Sequence, residues 1–265
     1  MRDANGTTKL TKNQRQERIV DELRASPTLR VLELAASLGV STETIRRDLD
    51  ELGARGLINR TYGGAVRQFG PEPSIRERHQ MLVPQREAIA RAASRFVQHG
   101  DILIVGGGAT TTHVARRLAA EKHDLKVFTD SFAVATVLAP NPTIEIMICP
   151  GRYNGQEGCM FGTETIDYLG RIYANRVILG ASGLTEDGPN DADMEAAATY
   201  RAMALRAPEV MVVTDHTKFD RPAISVYARW SNITRLIVDE ALPGTLEETL
   251  RRAGVEIVVS PPPER

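Results

Sequence analysis

A glycine-rich segment near the middle of the chain constrains the fold most strongly. Residues 106–112 read Gly-Gly-Gly-Ala-Thr-Thr-Thr, between an apolar run, Ile102–Val105, and a helix-like run, His113–Ala120. This order predicts a strand, a tight turn and a helix start. Glycines let backbone N–H groups approach a ligand closely, and a helix start carries partial positive charge. The segment therefore predicts a site for an anion such as phosphate, with threonine hydroxyls as further donors.

Apolar runs alternate with helical segments through the rest of the chain. The predicted strands are Asp101–Val105, Leu125–Phe128, Thr143–Cys149, Arg176–Leu179, Val210–Val213, Leu236–Val238 and Val255–Val259. This alternation is typical of an α/β fold with a mainly parallel sheet and helices on both faces. Ligands of such sheets bind beyond the carboxyl ends of the strands. We therefore expect the binding site at these strand ends.

The residues at the strand ends form a candidate ligand site. Asp130 is suited to accept hydrogen bonds from sugar hydroxyls, and Ser131 is suited to the same site or to capping the next helix. Lys218 is the expected partner of a phosphate, with Arg152 as a second candidate. The predicted effector set is Gly106, Gly107, Gly108, Ala109, Thr110, Thr111, Asp130, Ser131, Gly151, Arg152, Gly180, Ala181 and Lys218.

We predict no metal, no cofactor and no catalytic residue. Asp191, Asp193 and Glu195 do not fit a complete calcium loop, and we interpret them as acidic residues at a helix N-terminus. Cys149 and Cys159 offer no metal-ligand spacing and no disulfide framework, so we expect free thiols.

The first 67 residues have the pattern of a helix-turn-helix. Helical periodicity covers residues 14–25, 31–38 and 42–55, with a break at Ser26-Pro27 and a predicted left-handed C-cap at Gly39. Ser41 is placed to cap the third helix. Two short helices joined by a glycine-centred turn describe a helix-turn-helix, whose second helix enters the major groove of DNA.

The predicted DNA contacts lie on the third helix and on a hairpin behind it. Residues 57–67 read as two strands turned at a Gly-Gly pair, which makes the unit a winged helix-turn-helix domain. Residues 1–67 contain 12 Lys and Arg against 9 Asp and Glu, in a chain of net charge −1. The predicted DNA-binding set is Ser41, Thr42, Glu43, Thr44, Arg46, Arg47, Arg60, Thr61, Gly63 and Gly64.

The chain of 265 residues is long enough for two domains. We predict a DNA-binding domain at 1–67, a linker rich in Pro and Gly at 68–84 and an effector-sensing domain at 85–265. No apolar run approaches the roughly 20 residues that span a bilayer, so we expect no membrane association and a cytoplasmic location. The 25% of charged residues is ordinary for a globular protein.

Several motifs resemble the DeoR family of bacterial transcriptional regulators. The N-terminal resemblance rests on Ser41-x-x-Thr44-Ile45-Arg46-Arg47-Asp48-Leu49 and on the glycine-rich hairpin that follows it. The C-terminal resemblance rests on the glycine-threonine loop, Val127–Ser131, Gly180–Gly183, Glu195 with Arg201-Ala202-Met203, and Asp215-His216-x-Lys218-Phe219. Family membership implies a sensor domain similar to ribose-5-phosphate isomerase and coenzyme A transferases. It also implies control of sugar or nucleoside catabolism by a phosphorylated sugar, usually through repression.

Two motifs of the sensor domain depart from the family pattern. Family members usually read Asp-x-Gly-Thr-Thr at the loop, and here Gly106 holds the Asp position and Ala109 a Thr position. Where the family has Lys-Arg, this chain has Tyr200-Arg201. The resemblance therefore implies a retained phosphate cradle and a changed contact with the sugar.

The sequence supports one leading function and leaves two alternatives. The leading function is a repressor that binds double-stranded operator DNA and responds to a phosphorylated sugar. A sugar-phosphate isomerase-like enzyme would need a positioned acid or base, and Gly180–Gly183 offers no carboxylate. A dinucleotide-sensing redox regulator would need a small residue where the loop has Thr111. Because helix-turn-helix proteins usually read two half-sites, we expect a homo-oligomer, either a dimer or a tetramer.

Overall fold

The computed structural model describes residues 10–25, 28–54, 58–61, 64–67 and 73–263. The chain divides into two compact units, Met1–Pro71 and Glu72–Arg265. Separate apolar cores lie in the two units. Among the described residues, no helix has both the length and the apolar character needed to cross a bilayer.

The N-terminal unit combines three helices with a small antiparallel sheet. The helices are α1 (Lys12–Ala25), α2 (Val31–Leu38) and α3 (Thr42–Ala54). The strands are β1 (Thr28–Arg30), β2 (Ile58–Thr61) and β3 (Gly64–Arg67), in the order β1-β3-β2. The β2–β3 hairpin confirms the predicted wing. The sequence did not predict β1, because three residues are too few to establish a strand periodicity.

The helix-turn-helix forms as the sequence predicts. Ile19, Leu34, Ile45 and Leu49 are fully buried at the centre of the three helices. Gly39 ends α2 in the left-handed conformation, with φ of +63°, and its amide donates to Ala35 O. The Ser41 hydroxyl accepts from the Thr44 amide at 3.2 Å, so it caps the start of α3. The predicted break at Ser26-Pro27 lies outside the described residues.

The second unit is built around a seven-stranded parallel sheet. Its strands are β4 (Ile102–Val105), β5 (Lys126–Thr129), β6 (Glu145–Ile148), β9 (Arg176–Leu179), β12 (Glu209–Val213), β14 (Arg235–Val238) and β15 (Glu256–Val259). They lie in the order β15-β14-β12-β9-β4-β5-β6, and every neighbouring pair is parallel. All the strands predicted for this sheet are confirmed.

Helices and two small antiparallel sheets complete the unit. The helices are α4 (Ile75–Arg78), α5 (Val83–Ser94), α6 (Ala109–Glu121), α7 (Phe132–Leu138), α8 (Thr163–Leu169), α9 (Met194–Ala204) and α10 (Gly244–Arg252). The added strands are β7 (Arg152–Asn154), β8 (Cys159–Phe161), β10 (Gly183–Thr185), β11 (Gly188–Asp191) and β13 (Ser225–Val226). These five strands were not predicted from the sequence, because each spans only two to four residues.

The parallel sheet is buried on both faces. Leu103 and Val105 belong to one apolar cluster, whereas Ile104, between them in β4, belongs to the other. Such burial accounts for the continuous apolar runs that made these strands visible in the sequence. Near the amino ends of the strands, Arg176 pairs with Asp101 and with Glu209. The glycine loop begins at the carboxyl end of β4, so the carboxyl ends of the strands are where a ligand is expected to bind.

Candidate functional site

The glycine loop joins β4 to α6 in a geometry that requires glycine. Its first amide, of Gly106, donates to Ile178 O at 3.0 Å, and its second, of Gly107, donates to Asp130 Oδ1 at 2.9 Å. A Cβ atom on Gly107 would lie 2.2 Å from Cys159 Sγ, closer than any side chain allows. Gly108 is the N-cap of α6 and has a φ of +130°.

A cavity lies where this loop meets the end of β9. The predicted residues that line it are Gly107, Gly108, Ala109, Thr110, Gly180, Ala181 and Lys218. The first amides of a helix have no acceptor within the helix, so the start of α6 brings donors to this cavity. Strand ends far apart in the sequence thus meet at one edge of the sheet.

Two further cations, which were not predicted from the sequence, line the cavity. Arg86 on α5 is 4% exposed, and its Nη2 lies 3.3 Å from Asp215 Oδ2. Arg78 on α4 forms an ion pair with Glu157, and its carbonyl accepts a hydrogen bond from Arg86. With Lys218, which is 7% exposed, three cations line the cavity. The sequence signal for Arg86 was weak, because a charged residue on an amphipathic helix normally faces solvent.

Arg152 does not reach this cavity. It lies on β7, is 62% exposed in its side chain and pairs with Glu195. The cations beside the cavity are therefore Arg78, Arg86 and Lys218, instead of the Lys218 and Arg152 expected from the sequence.

The other predicted effector residues do not line the cavity. The Thr111 hydroxyl donates to Gly108 O at 3.0 Å. Ser131 caps α7, since its hydroxyl accepts from the Val134 amide at 3.4 Å. Gly151 has a φ of +147° and lies against Thr165 and Phe161.

Asp130 is fully buried behind the loop. Its Oδ1 accepts from the Gly107 amide, whereas its Oδ2 has no hydrogen-bond partner among the described residues. Burial raises the pKa of Asp130 to about 7, against the opposing effect of the Gly107 amide. This carboxyl group is therefore partly protonated near neutral pH.

The two departures from the family pattern are neighbours in space. A Cβ atom on Gly106 would lie 3.0 Å from Leu179 Cδ2 and 3.0 Å from Tyr200 Cε1. The Tyr200 ring therefore occupies the space that a side chain at position 106 would need. An aspartate at Gly106 would meet this ring, so the two departures are linked.

Asp193 and Glu195 lie at the N-terminus of α9, as the sequence predicts, whereas Asp191 lies on β11 and lines the cavity. The Asp193 carboxylate accepts from the Glu195 and Ala196 amides, at 2.7 Å and 3.1 Å, and so caps the helix. Elsewhere in the described residues, donor atoms of His216, Asp239 and Glu240 lie within 4.8 Å of one another. His216 Nδ1 is already 2.6 Å from Asp239 Oδ2, which describes a histidine–carboxylate pair.

The exposed face of α3 forms the candidate DNA interface. Glu43, Arg46 and Arg47 are exposed near its N-terminus, and Ile45 and Leu49 face the core. Arg47 Nε lies 3.4 Å from Glu43 Oε1. Of the predicted wing residues, Arg60 and Thr61 lie on β2 and Gly64 on β3, whereas Gly63 lies outside the described residues.

Two family matches cover these two regions. The DeoR-like helix-turn-helix domain matches residues 15–68, and the DeoR C-terminal sensor domain matches residues 83–240. The chain belongs to the DeoR family of transcriptional repressors. The family resemblance drawn from the sequence motifs is thereby confirmed.

Relatives of nearly full length carry repressor names. The HTH-type transcriptional repressor CsqR of Escherichia coli K12 is 29% identical, covering 95% of this chain and 97% of its own. The glycerol-3-phosphate regulon repressor of the same strain is 28% identical, covering 91% and 96%. The names of these relatives agree with the family to which the chain belongs. A ribose-5-phosphate isomerase in complex with phospho-erythronic acid matches with a TM-score of 0.37 at 16% identity, over 50% of this chain and 52% of that one.

Proposed function

We propose that a phosphorylated sugar binds in the cavity at the start of α6 and controls the affinity of this repressor for operator DNA. The proposed effector contacts are Gly107, Gly108, Ala109, Thr110, Gly180, Ala181 and Lys218, together with Arg78 and Arg86. The proposed DNA contacts are Ser41, Thr42, Glu43, Thr44, Arg46, Arg47, Arg60, Thr61, Gly63 and Gly64.

The observation that carries this proposal is the composition of the cavity. Backbone amides at a helix start, with two buried cations, suit the charge and the oxygens of a phosphate. Asp191 and Asp215 also line the cavity, and carboxylates are acceptors for sugar hydroxyls. One cavity therefore offers donors for a phosphate and acceptors for a polyol.

The comparison with relatives supports the same class of effector. One full-length relative is named as the repressor of a glycerol-3-phosphate regulon. Glycerol 3-phosphate combines a phosphate with hydroxyl groups, as the proposed effector does.

A second element of the proposal is a symmetric homo-oligomer, a dimer or a tetramer, that reads two DNA half-sites. In this proposal the protein has one conformation that binds DNA tightly and one that binds it weakly. The effector changes the affinity for DNA only as far as the effector itself binds one of these conformations more tightly than the other. A ten-fold change in operator affinity requires about 1.4 kcal/mol of such difference.

Fluorescence anisotropy on the full-length protein tests the proposal. Labelled DNA from upstream of the gene is compared with a shuffled duplex, with and without a panel of sugar phosphates and the same sugars without phosphate. We expect selective binding to the upstream DNA and a change of about ten-fold or more with one phosphorylated sugar. Equal binding to both duplexes would refute the proposed repressor mechanism, and a response to NADH alone would favour the dinucleotide alternative.

A thermal-shift screen identifies the effector independently of DNA. A ligand at 100 times its Kd stabilises the folded state by about 2.7 kcal/mol. Unphosphorylated sugars serve as controls, since they lack the group that the helix start is proposed to bind.

A further inference from the structure

Two buried tyrosines bond to carbonyl groups of the two glycine loops at the cavity. Tyr200 Oη donates to Gly107 O at 2.7 Å, and Tyr227 Oη donates to Gly180 O at 2.6 Å. The rings contact each other edge to face, with centroids 5.5 Å apart. We call Tyr200 and Tyr227 the tyrosine pair.

These bonds fix the direction of the next amide in each loop. A trans peptide is planar, and its carbonyl and the following N–H point in opposite directions. The Gly108 and Ala181 amides therefore point away from the phenol groups. Both residues line the cavity, and in the described part of the chain neither amide has an acceptor.

Glycine would otherwise allow these peptides to rotate. Gly107 and Gly108 flank one of them, and Gly180 precedes the other. Since glycine accepts both signs of φ, rotation of such a peptide meets little steric resistance. A rotated peptide would present its carbonyl oxygen, which carries partial negative charge, to an anionic ligand.

We propose that the tyrosine pair consists of positioning residues for the phosphate of the effector. By holding two carbonyls, the pair keeps two amide donors directed at the ligand. The inference rests on the proposed function, because it requires a phosphorylated ligand in this cavity. The additional claim is that the phenol groups of Tyr200 and Tyr227 determine how tightly the two glycine loops bind phosphate.

The two tyrosines differ in their access to the ligand. Tyr200 lines the cavity, whereas Tyr227 is 1% exposed and does not line it. Tyr227→Phe therefore removes only the bond to Gly180 O and keeps the ring contact with Tyr200. Tyr200→Phe gives the corresponding change at Gly107.

Two control variants separate positioning from general destabilisation. Tyr168→Phe removes a phenol group that packs near Phe128, with ring centroids 6.3 Å apart, away from the cavity lining. Trp230→Phe removes a buried donor to Thr185 O, 2.8 Å away, in the same core cluster as the tyrosine pair. It therefore removes a buried hydrogen bond, together with part of a ring, and leaves the bonds to Gly107 O and Gly180 O in place.

The experiment measures the binding of inorganic phosphate and of a panel of sugar phosphates to the full-length protein by calorimetry, well below the unfolding temperature. We expect each tyrosine-pair variant to bind about 3- to 10-fold more weakly, as for the loss of one orienting hydrogen bond. Both controls should bind like wild type. In amide NMR spectra, phosphate should shift the Gly108 and Ala181 signals of wild type, and these shifts should shrink in Tyr227→Phe.

The outcomes are distinguishable. If wild type binds phosphate compounds and both tyrosine-pair variants bind them equally well, this inference is overturned and the proposed function stands. A similar loss in Trp230→Phe would also overturn it, because stability alone would then explain the effect. If wild type binds none of the phosphate compounds, the proposed function and this inference fail together.

Discussion

Each unit of this repressor buries an aspartate next to its proposed binding surface, and the two aspartates have different partners. Asp48 on α3 is 2% exposed and accepts from Arg15 Nη2 at 3.0 Å and from Gln16 Nε2 at 3.5 Å. Asp130, behind the glycine loop, is fully buried and accepts from the Gly107 amide. The Asp48 carboxylate therefore pairs with a positive charge, whereas the Asp130 carboxyl group accepts a hydrogen bond from a backbone amide.

The difference indicates how each surface is held in place. The charge pair of Asp48 ties α1 to α3, so side chains fix the helix that presents Arg46 and Arg47. In the sensor unit the glycine loop presents backbone amides to the cavity, and the carboxyl group of Asp130 behind the loop changes its protonation near neutral pH. Substitutions in the two units should therefore differ in size and in pH dependence.

The largest effect is expected for Asp130→Asn. Because the pKa of Asp130 is raised to about 7, the folded protein keeps a proton that the unfolded chain loses near pH 4. The stability that this group contributes is full below about pH 4 and is lost as the pH rises through about 7. Asparagine does not titrate, so we expect the variant to gain about 4 kcal/mol relative to wild type between pH 4 and pH 8.

Urea unfolding of both proteins across this pH range measures the difference. His113 acts with the opposite sign, because burial lowers its pKa to about 4 and its contribution is lost as the pH falls below about 6.5. Since both proteins contain His113, its effect cancels. Parallel stability curves would show that Asp130 does not titrate in this range.

The next largest effect is expected for Asp48→Ala. Removing one partner of a buried ion pair leaves the other uncompensated, which costs about 3 kcal/mol. Unfolding followed by circular dichroism should show an earlier transition of the N-terminal unit, with phosphate binding unchanged. Lys12→Ala is the control, since it removes an exposed pair between the same two helices, Lys12 Nζ to Glu51 Oε1 at 2.6 Å, and should cost about 0.5 kcal/mol. Equal losses would contradict the comparison.

Gly107→Ala is expected to cost about 2 kcal/mol through overpacking against Cys159 and to weaken phosphate binding. The double variant with Cys159→Ala should recover part of both losses, because it removes the sulfur atom that the new methyl group meets. Gly244→Ala is the control, since its added Cβ would meet nothing within 4 Å. Chemical unfolding and calorimetry give both quantities, and a double variant no better than the single one would argue against the contact.

The smallest effect is expected for Arg47→Ala, at about 1 kcal/mol of operator affinity with unchanged effector binding. Anisotropy at several salt concentrations should show a salt slope lowered by about 1 if the arginine contacts a phosphate. Arg252→Ala is the matched control, because Arg252 also pairs four residues back on a helix, with Glu248 at 3.1 Å. The same loss in both variants would indicate a general charge effect.

The fold was predictable wherever the burial of an element produces a simple pattern of apolar residues or a glycine at a fixed position. Strand β4 is apolar at every position because both of its faces are covered, and Gly39 marks a helix end because only glycine adopts its φ without strain. Strands β10 and β11 gave no such signal, because they are short and contain Gly183, Gly188 and Pro189.

The site was predictable in its backbone and less so in its side chains. The glycine loop and the turn at Gly180 follow directly from strand ends in a parallel sheet. Arg86 lies 129 positions from its partner Asp215 in the sequence. No local sequence pattern indicates that Arg86 on α5 lies beside the cavity. Tyr200 and Gly106 were recognised as unusual, but their contact depends on how α9 packs against the end of β4.

The glycine loop also has an evolutionary consequence. The donors that it offers in the proposed site are main-chain amides, which no amino-acid substitution removes except one to proline. Mutations of Phe161, Ser182 or Glu157 alter the cavity wall and leave those amides in place. Under the proposed function, point mutations in the cavity wall can therefore change which sugar binds, while the backbone part of the phosphate site is inherited unchanged.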